Sequence, residues 1–481
     1  MRNRYLEGVF APLEQEHTLT ELQVIGDIPE YLDGRYLRNG ANPVGELDPA
    51  FYHWFVGDGM VHGIRIRDGR AEWYRNRWVR GPETSMVLGE AHVLGDGAVG
   101  IGANTNVIAH AGRTLALIEG GGTPVELSYE LETVGICDFG EQVRGGYTAH
   151  PKRDPDTGEL HAVSYSFDRG NRVQYTVIGT DGRVRRAVDI EVAGMPLMHD
   201  FSLTENHIVL YDLPVTLDPQ EMGGLSDQAG ALVGAPMPEP ARLVLSAMLG
   251  RIRVPDPLAA RRTRDLRLPY GWNSRYPARI GVMPRAGGND DVRWFEIEPC
   301  WVFHPMNAYD DGDTVVLDVV RYPVMFDRDR TGPEEASPTL DRWVLDLVAG
   351  TVRQDRVDDR AQEFPRVDER RVGRRHRFGY APAVGPGATP GSTLLKHDRL
   401  HGTTTARFFG RHARVGEFVF EPAAPDARED QGVLMGFVHD IGSDRSALVM
   451  LDAETLEDVA SIELPHRIPA GFHGNWIPGD G

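Results

Sequence analysis

Phe303-His304-Pro305-Met306-Asn307-Ala308-Tyr309-Asp310-Asp311-Gly312-Asp313 follows the apolar pair Trp301-Val302 and leads into Thr314-Val315-Val316-Leu317-Asp318-Val319-Val320. A short Asp/Gly segment between two β-forming runs predicts a hairpin, because Gly and Asp accept the positive φ of tight turns. His304 is therefore expected on a strand, held beside that hairpin. Alone, a strand histidine is ordinarily a structural residue.

The same order of residues recurs elsewhere. Tyr147-Thr148-Ala149-His150-Pro151 leads into Asp154-Pro155-Asp156-Thr157-Gly158 and then Leu160-His161-Ala162-Val163. Met198-His199-Asp200-Phe201 leads into Thr204-Glu205-Asn206 and then His207-Ile208-Val209-Leu210. Near the end stands Gly471-Phe472-His473-Gly474-Asn475-Trp476. Histidines on corresponding strands of a repeating fold can converge on one axis. Four neutral imidazoles meeting at a point form a metal site.

Composition bounds the alternatives. A length of 481 residues exceeds a usual domain, but barrels and propellers reach it as one unit. The 55 glycines and 33 prolines suit a chain that reverses direction often. A net charge of −20 argues against nucleic acid, whose phosphates need a basic face. Cys137 and Cys300 are far apart, show no zinc or redox spacing, and read as buried thiols of a reducing compartment. Met1-Arg2-Asn3-Arg4-Tyr5-Leu6-Glu7 lacks the apolar core of a signal peptide, and no run of about eighteen apolar residues occurs. The expectation is a soluble cytoplasmic protein that at most touches a membrane surface.

From Gly34 onward, short strands and turns alternate: Val61-His62-Gly63-Ile64-Arg65-Ile66 before Asp68-Gly69, Trp343-Val344-Leu345-Asp346-Leu347 before Ala349-Gly350. Many short, evenly spaced strands indicate an all-β sandwich, barrel or propeller, and the chain length suits about seven propeller blades. The expected unit is a single domain over residues 1–481. One segment, about residues 218–268, breaks the pattern. Pro240-Ala241-Arg242-Leu243-Val244-Leu245-Ser246-Ala247-Met248-Leu249-Gly250 has a proline start and a glycine stop, predicting a helix. Arg251, Arg253, Arg261, Arg262, Arg264 and Arg267 follow it. This insertion is expected to cap one face of the β scaffold and to offer an apolar, basic-fringed patch to a membrane.

These motifs resemble the carotenoid cleavage oxygenases, a family that includes lignostilbene dioxygenases and the retinal-pigment-epithelium isomerohydrolase. The resemblance runs through Tyr36-Leu37-Arg38-Asn39-Gly40-Ala41-Asn42-Pro43, His53-Trp54-Phe55-Val56-Gly57-Asp58-Gly59-Met60-Val61-His62 and Ala103-Asn104-Thr105-Asn106-Val107. It continues through the four histidine segments and Glu363-Phe364-Pro365-Arg366. It implies a seven-bladed β-propeller, a helical and loop dome over one face, and one Fe(II) on the axis. The implied ligands are His150, His199, His304 and His473. Glu119, Glu363 and Glu417 would orient His199, His304 and His473 in that order, leaving His150 without a carboxylate. Thr105 matches the residue whose methyl group crowds an open iron position. The remaining histidines, His53, His62, His161 and His207 among them, are expected to be structural.

The implied reaction inserts O2 across a conjugated C=C bond to give two carbonyl products, with no organic cofactor. The implied substrate is a small hydrophobic one. Lignostilbene-type members resemble one another in a lysine just before the first orienting glutamate, where this chain has Ile118. The expected substrate is therefore a carotenoid or apocarotenoid, with a stilbene or phenylpropene as the alternative. Two further readings stay open: isomerisation without O2, and a propeller with a degenerate iron site that only binds a retinoid or a partner protein. Which double bond is cut, the substrate length and the oligomeric state also stay open.

Overall fold

A computed structural model describes residues 3–45, 49, 52–91, 93, 94, 103–140, 143, 146–166, 169–217, 270–328, 333, 336–386 and 389–479. They form the seven blades of a β-propeller. Strands Gly34–Ala41, Gly59–Arg67 and Arg70–Trp78 form the first blade. Four-stranded blades then begin at Asn106, Lys152, Phe201 and Trp301, and a three-stranded blade spans Phe378–Phe408. The seventh is built on Gly432–Asp440, Arg445–Asp452 and Asp458–Glu463.

Both chain ends close the ring. Gly474–Pro478 pairs with Gly34–Ala41 of the first blade, and Gln23–Gly26 pairs with Asp458–Glu463 of the last. Each closing strand binds sequence neighbours of the opposite terminus, so the first and last blades cannot part without breaking backbone ladders. Within a blade, the strand sequences differ by position. Trp301–Asp311 is buried over its first nine residues, and Thr314–Tyr322 nearly throughout. Val184–Glu191 and Thr351–Asp358, on the other side of their sheets, alternate between half-buried and exposed. Their hydrophobic faces pack inward while Arg and Asp meet water, the period-2 pattern of a one-sided strand.

The hairpin after His304 turns at Gly312, whose φ is +62°, and Asp311 pairs with Thr314. The first strand extends two residues, Asp310 and Asp311, into the expected Asp310-Asp311-Gly312 turn. Leu13-Glu14-Gln15-Glu16, helix-compatible in sequence, is irregular, and Leu13 is anchored by its N–H to Asn42 Oδ1 at 2.7 Å. The helix expected at Pro240–Gly250, with the whole 218–268 insertion, lies outside the described residues. The strands flanking it, Val215–Leu217 and Tyr270–Trp272, pair with each other. Among the described residues one α-helix, Pro82–Leu88, is present, and no helix is long and apolar enough to cross a membrane. Cys137 and Cys300 are buried and unbridged, as expected.

Candidate metal centre

The ladder of strand Trp301–Asp311 is interrupted around His304: pairing jumps from Val302 to Pro305 and again from Pro305 to Asn307. Pro305 has no N–H to give the ladder, and a bulge re-aims the side chain beside it. The other three histidines stand just ahead of strands rather than on them. His150 precedes Lys152–Arg153, His199 precedes Phe201–Leu203, and His473 precedes Gly474–Pro478. Backbone bonds fix these entry points. His473 N–H donates to the Thr105 carbonyl and Asn39 N–H to the His473 carbonyl, both at 3.0 Å. Lys152 Nζ lies 2.8 Å from Asp200 Oδ2, an ion pair that ties the His150 segment to the His199 segment.

These elements bring four histidines from four distant parts of the chain to one point. Nε2 of His150 is 3.0 Å from Nε2 of His473, which is 3.1 Å from Nε2 of His304. Nε2 of His304 is in turn 3.1 Å from Nε2 of His199, and the four ligand atoms all lie within 4.8 Å of one another. No other cluster of this kind occurs among the described residues.

Three of the rings are held from behind. Nδ1 of His199 is 2.9 Å from Glu119 Oε2, Nδ1 of His304 is 2.5 Å from Glu363 Oε2, and Nδ1 of His473 is 3.0 Å from Glu417 Oε1. This is the pairing and the order that the resemblance implies. Nδ1 of His150 is buried with no hydrogen-bond partner among the described residues.

The donor set fits a metal cation. A proton on each Nδ1 that faces a carboxylate leaves Nε2 as a bare lone pair. Lone pairs about 3 Å apart repel unless a positive charge lies between them. A metal–imidazole bond of about 2.1 Å with ligands at right angles separates neighbouring nitrogens by about 3.0 Å, the spacing found. Burial, with the neighbouring histidines, holds His150 and His304 well below the ordinary imidazole range, in the neutral form a metal needs. Burial also acts to lower His199, but the charge and hydrogen bond of Glu119 outweigh it and raise that ring.

Around this centre stand groups with no local signal in the sequence. The Tyr322 hydroxyl donates to Glu363 Oε1 at 3.2 Å, and the Tyr165 hydroxyl bonds both Glu119 and Tyr270. Arg366 lies 3.4 Å from Glu417 and also donates to the Gly474 carbonyl at 2.9 Å. It sits three residues after Glu363, in the quoted Glu363-Phe364-Pro365-Arg366 motif, which could have flagged it. Aromatic rings wall the site. Phe303 is 5.0 Å from the His199 ring centre, Phe364 stacks on His304 at 5.3 Å, and Phe55 meets Phe303 and Phe472. Thr105 is buried, with its hydroxyl turned back to Asn104 Oδ1 at 2.8 Å. Ile118 is buried in an apolar cluster.

The histidines expected to be structural have structural partners. His161 bonds the Tyr175 hydroxyl at 2.7 Å, His207 bonds Asp310 at 2.7 Å, His62 bonds the Tyr74 hydroxyl at 3.0 Å, and His53 caps a 3-10 turn.

Known proteins match this chain over almost its whole length. The profile of the retinal pigment epithelial membrane protein family matches residues 10–478. A carotenoid cleavage oxygenase of Mycobacterium tuberculosis is 55% identical, covering 99% of this chain and 98% of its own. A carotenoid 9,10(9',10')-cleavage dioxygenase of Pisum sativum is 30% identical, over 99% of this chain and 90% of its own. The crystal structure of the Pseudomonas brassicacearum lignostilbene dioxygenase superposes with a TM-score of 0.82 at 25% identity, over 99% of both chains. Fold, histidine centre and near-complete matches agree: the chain belongs to the retinal pigment epithelial membrane protein family, alongside the carotenoid cleavage oxygenases, and is an oxidoreductase of their dioxygenase type.

Proposed function

We propose that the protein is a non-haem Fe(II) oxygenase that cleaves a conjugated C=C bond of a carotenoid or apocarotenoid. O2 is the co-substrate, two carbonyl products form, and no organic cofactor takes part. The observation that carries this reading is the set of four Nε2 atoms within 4.8 Å of one another, linked by three contacts of 3.0–3.1 Å, with three of the rings backed by carboxylates. An iron ion held by these nitrogens would supply redox chemistry toward O2, which a metal without accessible oxidation states would not.

The chain's own residues supply the rest. His150, His199, His304 and His473 hold the metal without adding negative charge. Glu119, Glu363 and Glu417 fix three tautomers and return charge through the rings. Thr105, buried with its hydroxyl bonded to Asn104 Oδ1, would crowd an open metal position with its methyl group, the role the family resemblance gives it. Phe303 and Phe364 exclude water and offer flat faces to a polyene. Ile118 gives the site no ammonium to ionise a phenol, which favours the polyene over a hydroxystilbene.

The alternative is cleavage of a stilbene or phenylpropene, favoured by the superposition on the lignostilbene dioxygenase. Product analysis separates them. Fe(II)-loaded protein in air is given an apocarotenal in detergent or a 4-hydroxystilbene. Aldehyde fragments from the apocarotenal alone uphold the first reading; aldehydes from the stilbene alone replace it with the second. Products formed equally well under anoxia contradict both.

A further inference from the structure

Phe364 has a φ of +51°, in the left-handed region that a bulky residue rarely adopts. Its neighbours show how it is held there. Gln362 pairs with Ala383 and Arg366 with Tyr380, both on strand Phe378–Val384. Four steps of chain on one side therefore face three on the other, and one residue bulges out of the pairing. The bulge is pinned at both ends. Glu363 N–H donates to the Pro382 carbonyl at 3.1 Å, and Arg366 N–H to the Tyr380 carbonyl at 2.7 Å. Glycine takes a left-handed bulge position without strain. A phenylalanine kept in that conformation beside a functional site points to a task for its side chain.

The bulge sets the place of the ring. The Phe364 ring centre lies 5.3 Å from that of His304, with the planes 29° apart, and 5.4 Å from that of His473, at 62°. Those two imidazoles stand 4.7 Å apart at 77°, with their Nε2 atoms 3.1 Å from each other. One phenyl ring thus packs against both members of a ligand pair, close to parallel with the first and across the second. The same residue also reaches His304 from behind: Phe364 N–H donates to Glu363 Oε2, the oxygen that faces His304 Nδ1. A carboxylate at Nδ1 fixes a ring's tautomer at one atom. A flat aromatic face packed on the ring restrains its tilt as well.

We propose that Phe364 is a positioning residue for the metal: its ring, presented by the left-handed bulge, fixes the angle between the His304 and His473 imidazoles. This role rests on the reading of the four histidines as a metal centre. It differs from that of a wall for the substrate, because the ring acts on the ligands whether or not a substrate is bound.

The test titrates the full-length protein with Co(II) under anoxia and without substrate, because the visible absorption of bound Co(II) reports the geometry of its ligands. Wild type and Phe364→Tyr, which keeps the ring, are expected to share one affinity and one spectrum. Phe364→Leu, which keeps the strained backbone and loses the ring, is expected to bind Co(II) about tenfold more weakly and to shift the absorption at full loading. Phe364→Gly relaxes the backbone and is expected to show the same loss, so that the loss follows the ring and not the strain. If one of these two variants does not fold, the other carries the test. Either variant with the wild-type affinity and spectrum overturns the positioning role and leaves the four-histidine centre standing. A wild type that binds no Co(II) saturably overturns the centre itself.

Discussion

Arg366 lies 3.4 Å from Glu417, while Glu363, three residues before it on the same segment, pairs with no Arg or Lys among the described residues and is held by His304, the Phe364 N–H and the Tyr322 hydroxyl, the last at 3.2 Å. One tetrapeptide thus serves two metal-facing histidines in opposite electrostatic ways. Burial pushes Glu363 up to about 8, against the pull of its own hydrogen bonds. Burial acts on Glu417 in the same direction, but Arg366 and His473 outweigh it and hold that carboxyl below its usual range.

The two glutamates should therefore respond differently to the same change. Glu417→Gln leaves Arg366 buried opposite a neutral amide and is expected to cost about 2–3 kcal/mol of stability. Glu363→Gln keeps an acceptor for His304 Nδ1, so stability should change by under about 1 kcal/mol while metal affinity falls roughly 10–100-fold. Denaturant melts and metal titrations of both variants check this, and equal stability losses contradict the asymmetry.

Asp318 is fully buried and takes two hydrogen bonds from Arg342, at 2.6 and 2.7 Å, with His376 Nε2 at 3.2 Å. His376 belongs to the segment that leads into the next blade, so this carboxylate joins neighbouring blades. Asp318→Asn should cost about 3 kcal/mol. Iron per folded chain should stay at the wild-type value, because none of the four ligands touches this network. Loss of iron at full folding would show the blades and the centre to be coupled.

His161 and His397 are held down to about 4, in both cases mainly by burial. The folded state favours the neutral ring, so as pH falls the unfolded chain binds these protons first. Their contribution is full above about pH 6.5, is lost between about 6.5 and 4, and levels off below that. Each should remove on the order of 1 kcal/mol per pH unit within the window. Urea melts at pH 7, 6 and 5 measure the slope, and replacing His397 with Gln should flatten it.

Ile118→Lys places an ammonium beside Glu119 inside an apolar cluster. Apocarotenoid cleavage should fall and hydroxystilbene cleavage rise, read as the ratio of kcat/KM for the two substrates. A variant with an unchanged ratio would show that this position does not set the preference.

The hairpin after His304 was legible because Gly312 needs a positive φ and the run after it is rich in β-branched residues. The four histidines and three glutamates were legible through the family resemblance; spacing alone offered only the repeated order of histidine, turn and strand. The closure was not legible, since nothing in Gln23–Gly26 or Gly474–Pro478 says which distant strand it pairs with. Such pairings are set by topology, not by neighbours in sequence. Tyr322 and Tyr165 escaped for the same reason: their roles come from partners dozens of residues away. The bulge at Pro305, which aims His304, is readable in hindsight from a proline within a buried strand.

The most direct test of the central claim is iron per chain after anaerobic Fe(II) loading and removal of excess metal, for wild type and His304→Ala. The account predicts one iron per wild-type chain and almost none in the folded variant. A wild-type chain that holds far less than one iron, or a variant that keeps it, would contradict the assignment of the four histidines as the catalytic metal centre.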